Sequence, residues 1–140
     1  MLLLDNSAWA RLGSSGLSQA RRDVVADWIE TDDLASCLPF LLEAGYSARS
    51  GSEHLAMFEV LESLPRIAVD AEVERLVIAA QKELALVGHH RLPPSDLVIA
   101  ACAHRVQAGV LHYDHDFDVI AQRTSLDFGS EWLAPPGTLD

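Results

Sequence analysis

Five carboxylates stand where a carboxylate could do chemistry rather than only solvate a surface. Asp5 abruptly ends the apolar run Leu2-Leu3-Leu4, and two small polar residues, Asn6 and Ser7, follow it. Glu43 comes directly after Phe40-Leu41-Leu42, where it either turns to solvent or faces a polar crevice, because an unpaired carboxylate in an apolar neighbourhood is costly. Asp96 follows Pro93-Pro94-Ser95 and opens an apolar helix, a place the helix dipole favours whether or not the residue does chemistry. Asp114 and Asp116 follow the apolar segment Val110-Leu111-His112-Tyr113. Carboxylates gathered closely repel one another and are normally stabilised by a divalent cation. Ligands that are all oxygen, with no Cys or His, point to Mg²⁺ or Mn²⁺ rather than Zn²⁺. Such an ion can activate water and neutralise a phosphate.

The elements that must position these groups can be read in order. Leu2–Leu4 has the composition of a strand buried on both faces, and in an open α/β sheet ligands sit at the carboxyl ends of strands. A short helix over 8–12 follows the Asp5 turn. Ser18 caps a helix running to about Thr31, with Val24, Val25, Trp28 and Ile29 at helical spacing. Leu34–Cys37 is a second strand, and Pro39 suits the first turn of a helix reaching about Arg49. Ser50 or Ser52 caps a helix through Leu64, whose apolar residues Leu55, Met57, Phe58, Val60 and Leu61 cover more than one stripe; they serve either the core or a partner. Residues 66–70 form a third strand and 71–87 an amphipathic helix. A helix over 97–109 stops at Gly109, and 110–113 is the fourth strand. Residues 114–118 are a turn, 119–122 a last short helix, and 125–128 an edge strand before a tail holding Trp132, Pro135 and Pro136.

Helices alternating with short strands give an α/β fold: a three-layer α/β/α sandwich around a parallel sheet of four to five short strands. One domain over 1–140 is expected, with about 123–140 as an edge strand and C-terminal tail. If the first and fourth strands are neighbours, Asp5, Asp114 and Asp116 converge.

Composition narrows the classes. The chain carries 21 acidic against 10 basic residues, net −11, which taken alone argues against nucleic acid; a bound cation weakens that argument by inverting the local charge. No uncharged apolar run reaches the roughly 18 residues that span a bilayer, and the N-terminal run has neither basic flank nor the length of a signal peptide. Cys37 and Cys102, in apolar surroundings, are expected as small core residues in a reducing compartment, and the chain as cytoplasmic. The adjacent His89 and His90 on a loop are a poor pair for one metal ion.

Four segments in order, Leu-Leu-Leu-Asp5-Asn-Ser-Ala, Glu43, Pro-Pro-Ser-Asp96-Leu-Val-Ile-Ala-Ala and Leu-His-Tyr-Asp114-His-Asp116-Phe-Asp-Val-Ile-Ala, resemble the PIN domain, and most closely the VapC-type toxins of bacterial toxin–antitoxin pairs. The resemblance extends from Leu2 to about Gln122. It implies an endoribonuclease dependent on Mg²⁺, with Mn²⁺ as the other candidate. It implies that Asp5, Glu43, Asp96 and Asp114 form the acidic quartet, with Asp116 as an additional acidic position. Asp5, Asp96 and Asp114 would anchor metal, Asp116 would ligate a weaker metal or orient one, and Glu43 would act through water or on the nucleophile. Ser7 would shape the site. The implied partners are an RNA substrate, a cognate VapB-type antitoxin and a second copy in a homodimer or toxin–antitoxin hetero-oligomer, with no membrane. Trp9, Leu12 and the 52–64 helix are candidate walls of the antitoxin groove.

Two positions depart from the family. Asn6 stands where Thr is common, and His112 where Thr or Ser is common. His112 has three readings: bonding a carboxylate, touching a substrate phosphate, or filling an inward strand position.

The competing reading on the same fold is a non-catalytic adapter whose acidic pocket binds a protein's basic side chain; it does not require all five carboxylates. A phosphoacceptor receiver needs a Lys at the end of a late strand, whereas the sole lysine, Lys82, lies mid-helix. A haloacid-dehalogenase-type phosphatase needs an Asp two residues after Asp5, where Ser7 stands.

Overall fold

A computed structural model describes residues 1–140. In chain order the elements are β1 (Leu2–Leu4), α1 (Asn6–Trp9), α2 (Gln19–Glu30), β2 (Leu34–Cys37), α3 (Leu38–Tyr46), α4 (Gly51–Leu61), β3 (Arg66–Ile67), α5 (Ala71–Leu86), α6 (Pro94–Arg105), β4 (Gly109–His112), α7 (Asp116–Arg123) and β5 (Gly129–Trp132). The five strands lie in the order β3-β2-β1-β4-β5 and every pairing is parallel. β1 is central because an all-leucine strand can be covered on both faces; Leu3 and Leu4 are fully buried. The strand order reverses beside β1. Right-handed crossovers therefore carry the connections to opposite faces on the two sides of this point, and a crevice opens at the carboxyl ends of β1 and β4.

Local chemistry explains most boundaries. Asp5, Ser18, Ser50 and Asp70 each accept an N–H from the first turn of the helix they precede, and so start α1, α2, α4 and α5. Pro94 occupies the first turn of α6, where its missing N–H costs nothing. α6 is the apolar pillar of the domain's interior. It buries Leu97 and every residue from Ile99 to Ala103, packing on α3, α5 and α7 and against β1 and β4. Cys37 and Cys102 are buried free thiols, as the sequence leads one to expect.

Several boundaries differ from the sequence expectation. Because Asp5 itself is the cap, the first short helix begins at Asn6 rather than Ala8. α3 stops at Tyr46 and α4 at Leu61, both short of expectation. β3 keeps only two residues, since its ladder with β2 extends no further than Ile67. α6 runs from Pro94 to Arg105 instead of 97–109, and a left-handed Gln107 (φ 58°) follows it. Gly109 is thus not a helix stop but the first residue of β4. α7 begins at Asp116, so the turn after β4 is shorter than 114–118. The edge strand is 129–132 rather than 125–128, and Trp132 belongs to the sheet instead of the tail.

Gly109 is required by crowding. A Cβ placed there would lie 2.8 Å from the Gly129 carbonyl oxygen and 2.8 Å from Leu2 Cδ2, at the point where β1, β4 and β5 run side by side. Gly109→Ala is expected to destabilise the chain by about 1–3 kcal/mol through strand displacement, read as a lower urea midpoint. An unchanged midpoint would refute the close approach.

Candidate active site

The site is built from the end of β1 outward. Asp5 has extended backbone (φ −103°, ψ 153°), its N–H donates to the Leu111 carbonyl of β4 (3.0 Å), and Oδ2 accepts both the Ser7 N–H (2.9 Å) and the Ser7 hydroxyl (2.5 Å). Ser7 Oγ in turn accepts the Tyr113 N–H at 2.8 Å. One serine hydroxyl thus clasps the end of β1 to the end of β4. Asp5 is 3% exposed, and its second oxygen, Oδ1, is buried with no hydrogen-bond partner. Burial pushes its carboxyl above the ordinary aspartate range, the Ser7 bonds oppose this, and Glu43 and Asp114 add to it by repulsion.

The turn after β4 and the start of α6 meet Asp5 from the other side. One carboxylate oxygen each from Asp96, Asp114 and Asp116 lie within 4.8 Å of one another. Asp114 Oδ1 accepts the Asp116 N–H (2.9 Å), which sets the spacing of that pair. Asp96 is 5% exposed and its Oδ2 has no partner. Its pKa is pushed up to about 8, first by burial and then by repulsion from Asp5, Asp114, Asp116 and Glu43. Asp116 is also raised, by burial and by Asp114. Glu43, half-buried on α3, accepts the Ser95 hydroxyl at 2.5 Å. Of the two sequence readings for Glu43, it is the crevice that the structure shows.

All five carboxylates therefore converge, in two tiers. Asp96, Asp114 and Asp116 form the tight cluster, while Asp5 and Glu43 stand close enough to perturb it without joining that triad. None of the five is ion-paired; the cationic partners in the chain go to Glu131, Glu53, Glu72, Asp70 and Asp118. Buried carboxylates facing one another, two with an unpartnered oxygen, make a donor set suited to a hard divalent cation such as Mg²⁺ or Mn²⁺.

The structure also sorts the remaining candidates. Asn6 stays at the crevice, its Oδ1 buried and unpartnered. His112 faces inward, bonds no carboxylate and is fully buried, so it is not a phosphate contact. Burial lowers its pKa to about 4 although Asp118, Asp114 and Glu131 favour the charged form. His89, His90 and Arg91 are exposed on the loop before α6, and neither histidine is part of the metal-spaced cluster. Trp9 and Leu12, candidate groove walls, are partly buried and pack against the core, Trp9 edge-on to Phe40, whereas Leu55 is 71% exposed. Sequence reasoning missed Ser95, which lies beside Asp96 in a recognised segment. It also missed Asp118 and Ser130, which no local pattern singles out.

Comparison with known proteins bears on the family and the fold. The family model described as PIN domain matches residues 2–123. The chain is 37% identical over 142 residues to Ribonuclease VapC18 of Mycobacterium tuberculosis, covering 97% of each, and 33% identical to Ribonuclease VapC51 of the same organism, covering 99% of this chain and 96% of the other. Among solved structures, it resembles VapBC-5 from Mycobacterium tuberculosis (TM-score 0.64, 23% identity, 91% and 95% of the two chains). It also resembles VapBC2 from Rickettsia felis bound to a promoter DNA fragment (TM-score 0.73, 15% identity, 94% and 98%). At those identities the structures show a shared fold.

The electrostatics yield a pH signature for ion-free protein. Because the Asp96 pKa is raised, the folded state retains a proton that the unfolded state releases, so stability falls as pH rises from the unfolded value of 3.8 to about 8, then levels off. Asp96→Asn removes this penalty. With chelator present, it should raise Tm by a few degrees at pH 8.5 and by clearly less at pH 5. Equal shifts at both pH values, or a loss at pH 8.5, would contradict the clustered arrangement.

Proposed function

The chain belongs to the PIN domain family, in its VapC branch, and from this we propose that it is a Mg²⁺- or Mn²⁺-dependent endoribonuclease toxin of the cytoplasm, held inactive by a cognate VapB-type antitoxin. The observation that carries the reading is the convergence of Asp5, Glu43, Asp96, Asp114 and Asp116 without any basic partner, two of them with a buried oxygen unbonded. Asp96, Asp114 and Asp116, the tight triad, would hold the ion, with Asp5 beside them as a further ligand. When bound, the cation neutralises the cluster and supplies Lewis acidity toward water and the scissile phosphate. In the hydrolysis, a water oxygen forms the new bond to phosphorus, one P–O ester bond breaks, and the departing oxygen takes up a proton. Glu43 is suited to accept the water's proton, because Ser95 occupies Oε1 and fixes the side chain while Oε2 has no recorded bond. Ser7 holds Asp5 and the Asp114 turn in one register. The net charge of −11, which taken alone argues against nucleic acid, is compatible with the reading where a bound cation inverts the charge of the cluster.

The relatives that bear the VapC name and the structures described as VapBC toxin–antitoxin systems support an antitoxin as partner, and the homodimer rests on the family resemblance alone. Exposed apolar residues mark the face that would serve: Leu38, Leu42 and Tyr46 recur every four residues along α3 beside Glu43, and Leu55 stands on neighbouring α4.

Incubating end-labelled total RNA with the antitoxin-free protein should give discrete cuts with Mg²⁺ or Mn²⁺ and none with EDTA. Asp5→Asn and Asp114→Asn, shown to be folded, should reduce cleavage by roughly two orders of magnitude or more. Cuts that survive Asp5→Asn would remove the site from the reaction, and no cutting with either metal would favour the adapter reading. Leu55→Asp should weaken antitoxin association about tenfold or more in a binding titration while leaving RNA cleavage intact; unaltered association would take α4 out of the interface.

A further inference from the structure

Behind Asp114 lies a second polar network that reaches to the edge of the sheet. His112, the last residue of β4, is fully buried between Phe117 (ring centroids 4.9 Å apart, stacked) and Trp132 (5.0 Å, edge-on). Its Nδ1 lies 3.1 Å from the Asp114 backbone nitrogen, and its Nε2 lies 2.7 Å from Ser130 Oγ on β5. Ser130 Oγ is 2.6 Å from Asp118 Oδ1, and the Trp132 indole N–H reaches Asp118 Oδ2 at 3.0 Å.

Chemistry fixes the direction of every link. A backbone N–H can only donate, so Nδ1 is the bare nitrogen and the proton sits on Nε2. At the other end the Asp118 carboxylate takes the Trp132 indole N–H on Oδ2 and faces the Ser130 hydroxyl with Oδ1. A carboxylate can only accept, so the Ser130 hydroxyl gives its proton to Asp118 and its oxygen takes the Nε2 proton. The two ends demand the same tautomer. Packing between Phe117 and Trp132 would be satisfied by any flat ring, and it does not require both nitrogens to find partners of opposite kind.

The link to the acidic cluster is short. His112 fixes the Asp114 amide, and the Asp116 amide fixes the Asp114 carboxylate through Oδ1 (2.9 Å). The turn carrying both carboxylates is held from each side. We infer that His112, set in one tautomer by Ser130 and Asp118, is a positioning residue that orients Asp114 for cation binding. This rests on the divalent-cation reading above and extends it to residues of β5 and α7 that lie outside the cluster. Outer groups that orient a ligand commonly change metal affinity by about 10–100-fold when lost.

The test separates the two nitrogens. Long-range ¹H–¹⁵N spectra of the ion-free protein should show His112 protonated at Nε2 and bare at Nδ1; a proton on Nδ1 overturns the proposal whatever the metal behaviour. Mn²⁺ affinity is then read by electron paramagnetic resonance on wild type, His112→Asn and His112→Gln. Asn places an oxygen where Nδ1 stood and should bind within about threefold of wild type. Gln reaches only toward Ser130 and should bind about tenfold more weakly or worse at a similar Tm. Ser130→Ala, on the edge strand, should weaken binding severalfold, and it decides the matter if the His112 variants do not fold. Wild-type binding with Asn and Gln equal, or with Ser130→Ala unchanged, overturns the positioning role alone. Wild-type protein that binds no Mn²⁺ overturns the cation reading and this proposal with it.

Discussion

Mutual repulsion among five carboxylates, gathered from the ends of β1 and β4 and from α3 and α6, is the constraint on which the rest of the structure depends. Burial at Asp5 and Asp96 removes the water that would otherwise screen these charges, and each carboxylate raises the free energy of ionising the next. A chain with no other need for them would replace such residues by apolar ones of similar size. With two of their oxygens unbonded, a cation held among them would be favoured by the relief of repulsion as well as by its own ligation.

The scaffold opposes that repulsion by being rigid where the carboxylates are rooted. β1 is buried on both faces, α6 is packed on helices and strands alike, and the Ser7 hydroxyl bridges the ends of β1 and β4. Small residues let this happen. Gly109 allows three strands to meet at the base of β4, and the run Ala100–Ala103 in α6 brings that helix close to its neighbours. The same rigidity explains why a histidine can stand at the end of β4. A buried imidazole is tolerated when neutral and satisfied at both nitrogens, and β5 and α7 supply the partners.

Much of the fold was legible in local pattern. Ser18 and Ser50 act as caps, Pro39 sits in a first helical turn, and Leu2–Leu4 forms a strand, because each depends on chemistry within a few residues. Boundaries set by distant partners were misjudged. β5 lies at 129–132 because it must register with Gly109–His112, and the sequence 125–132 contains no signal that prefers one stretch over the other. Gly109 reads as a helix stop on its own, and only the proximity of Leu2 and Gly129 reveals its place in β4.

The candidate site divides along the same line. Residue types, order and the family resemblance singled out the five carboxylates that the structure brings together, because these are properties of side chains and of short motifs. Which three form the tight cluster, which oxygens lack partners, and that Ser95 holds Glu43 were decided by tertiary structure. So was the orientation of His112, for which the sequence left three readings open. Its partners lie on β5 and α7, and a hydrogen bond between residues 18 apart leaves no periodic trace in the chain. Local chemistry is written along the sequence, whereas the pairing of β1 with β4 and of β4 with β5 arises only when the sheet closes its parallel crossovers.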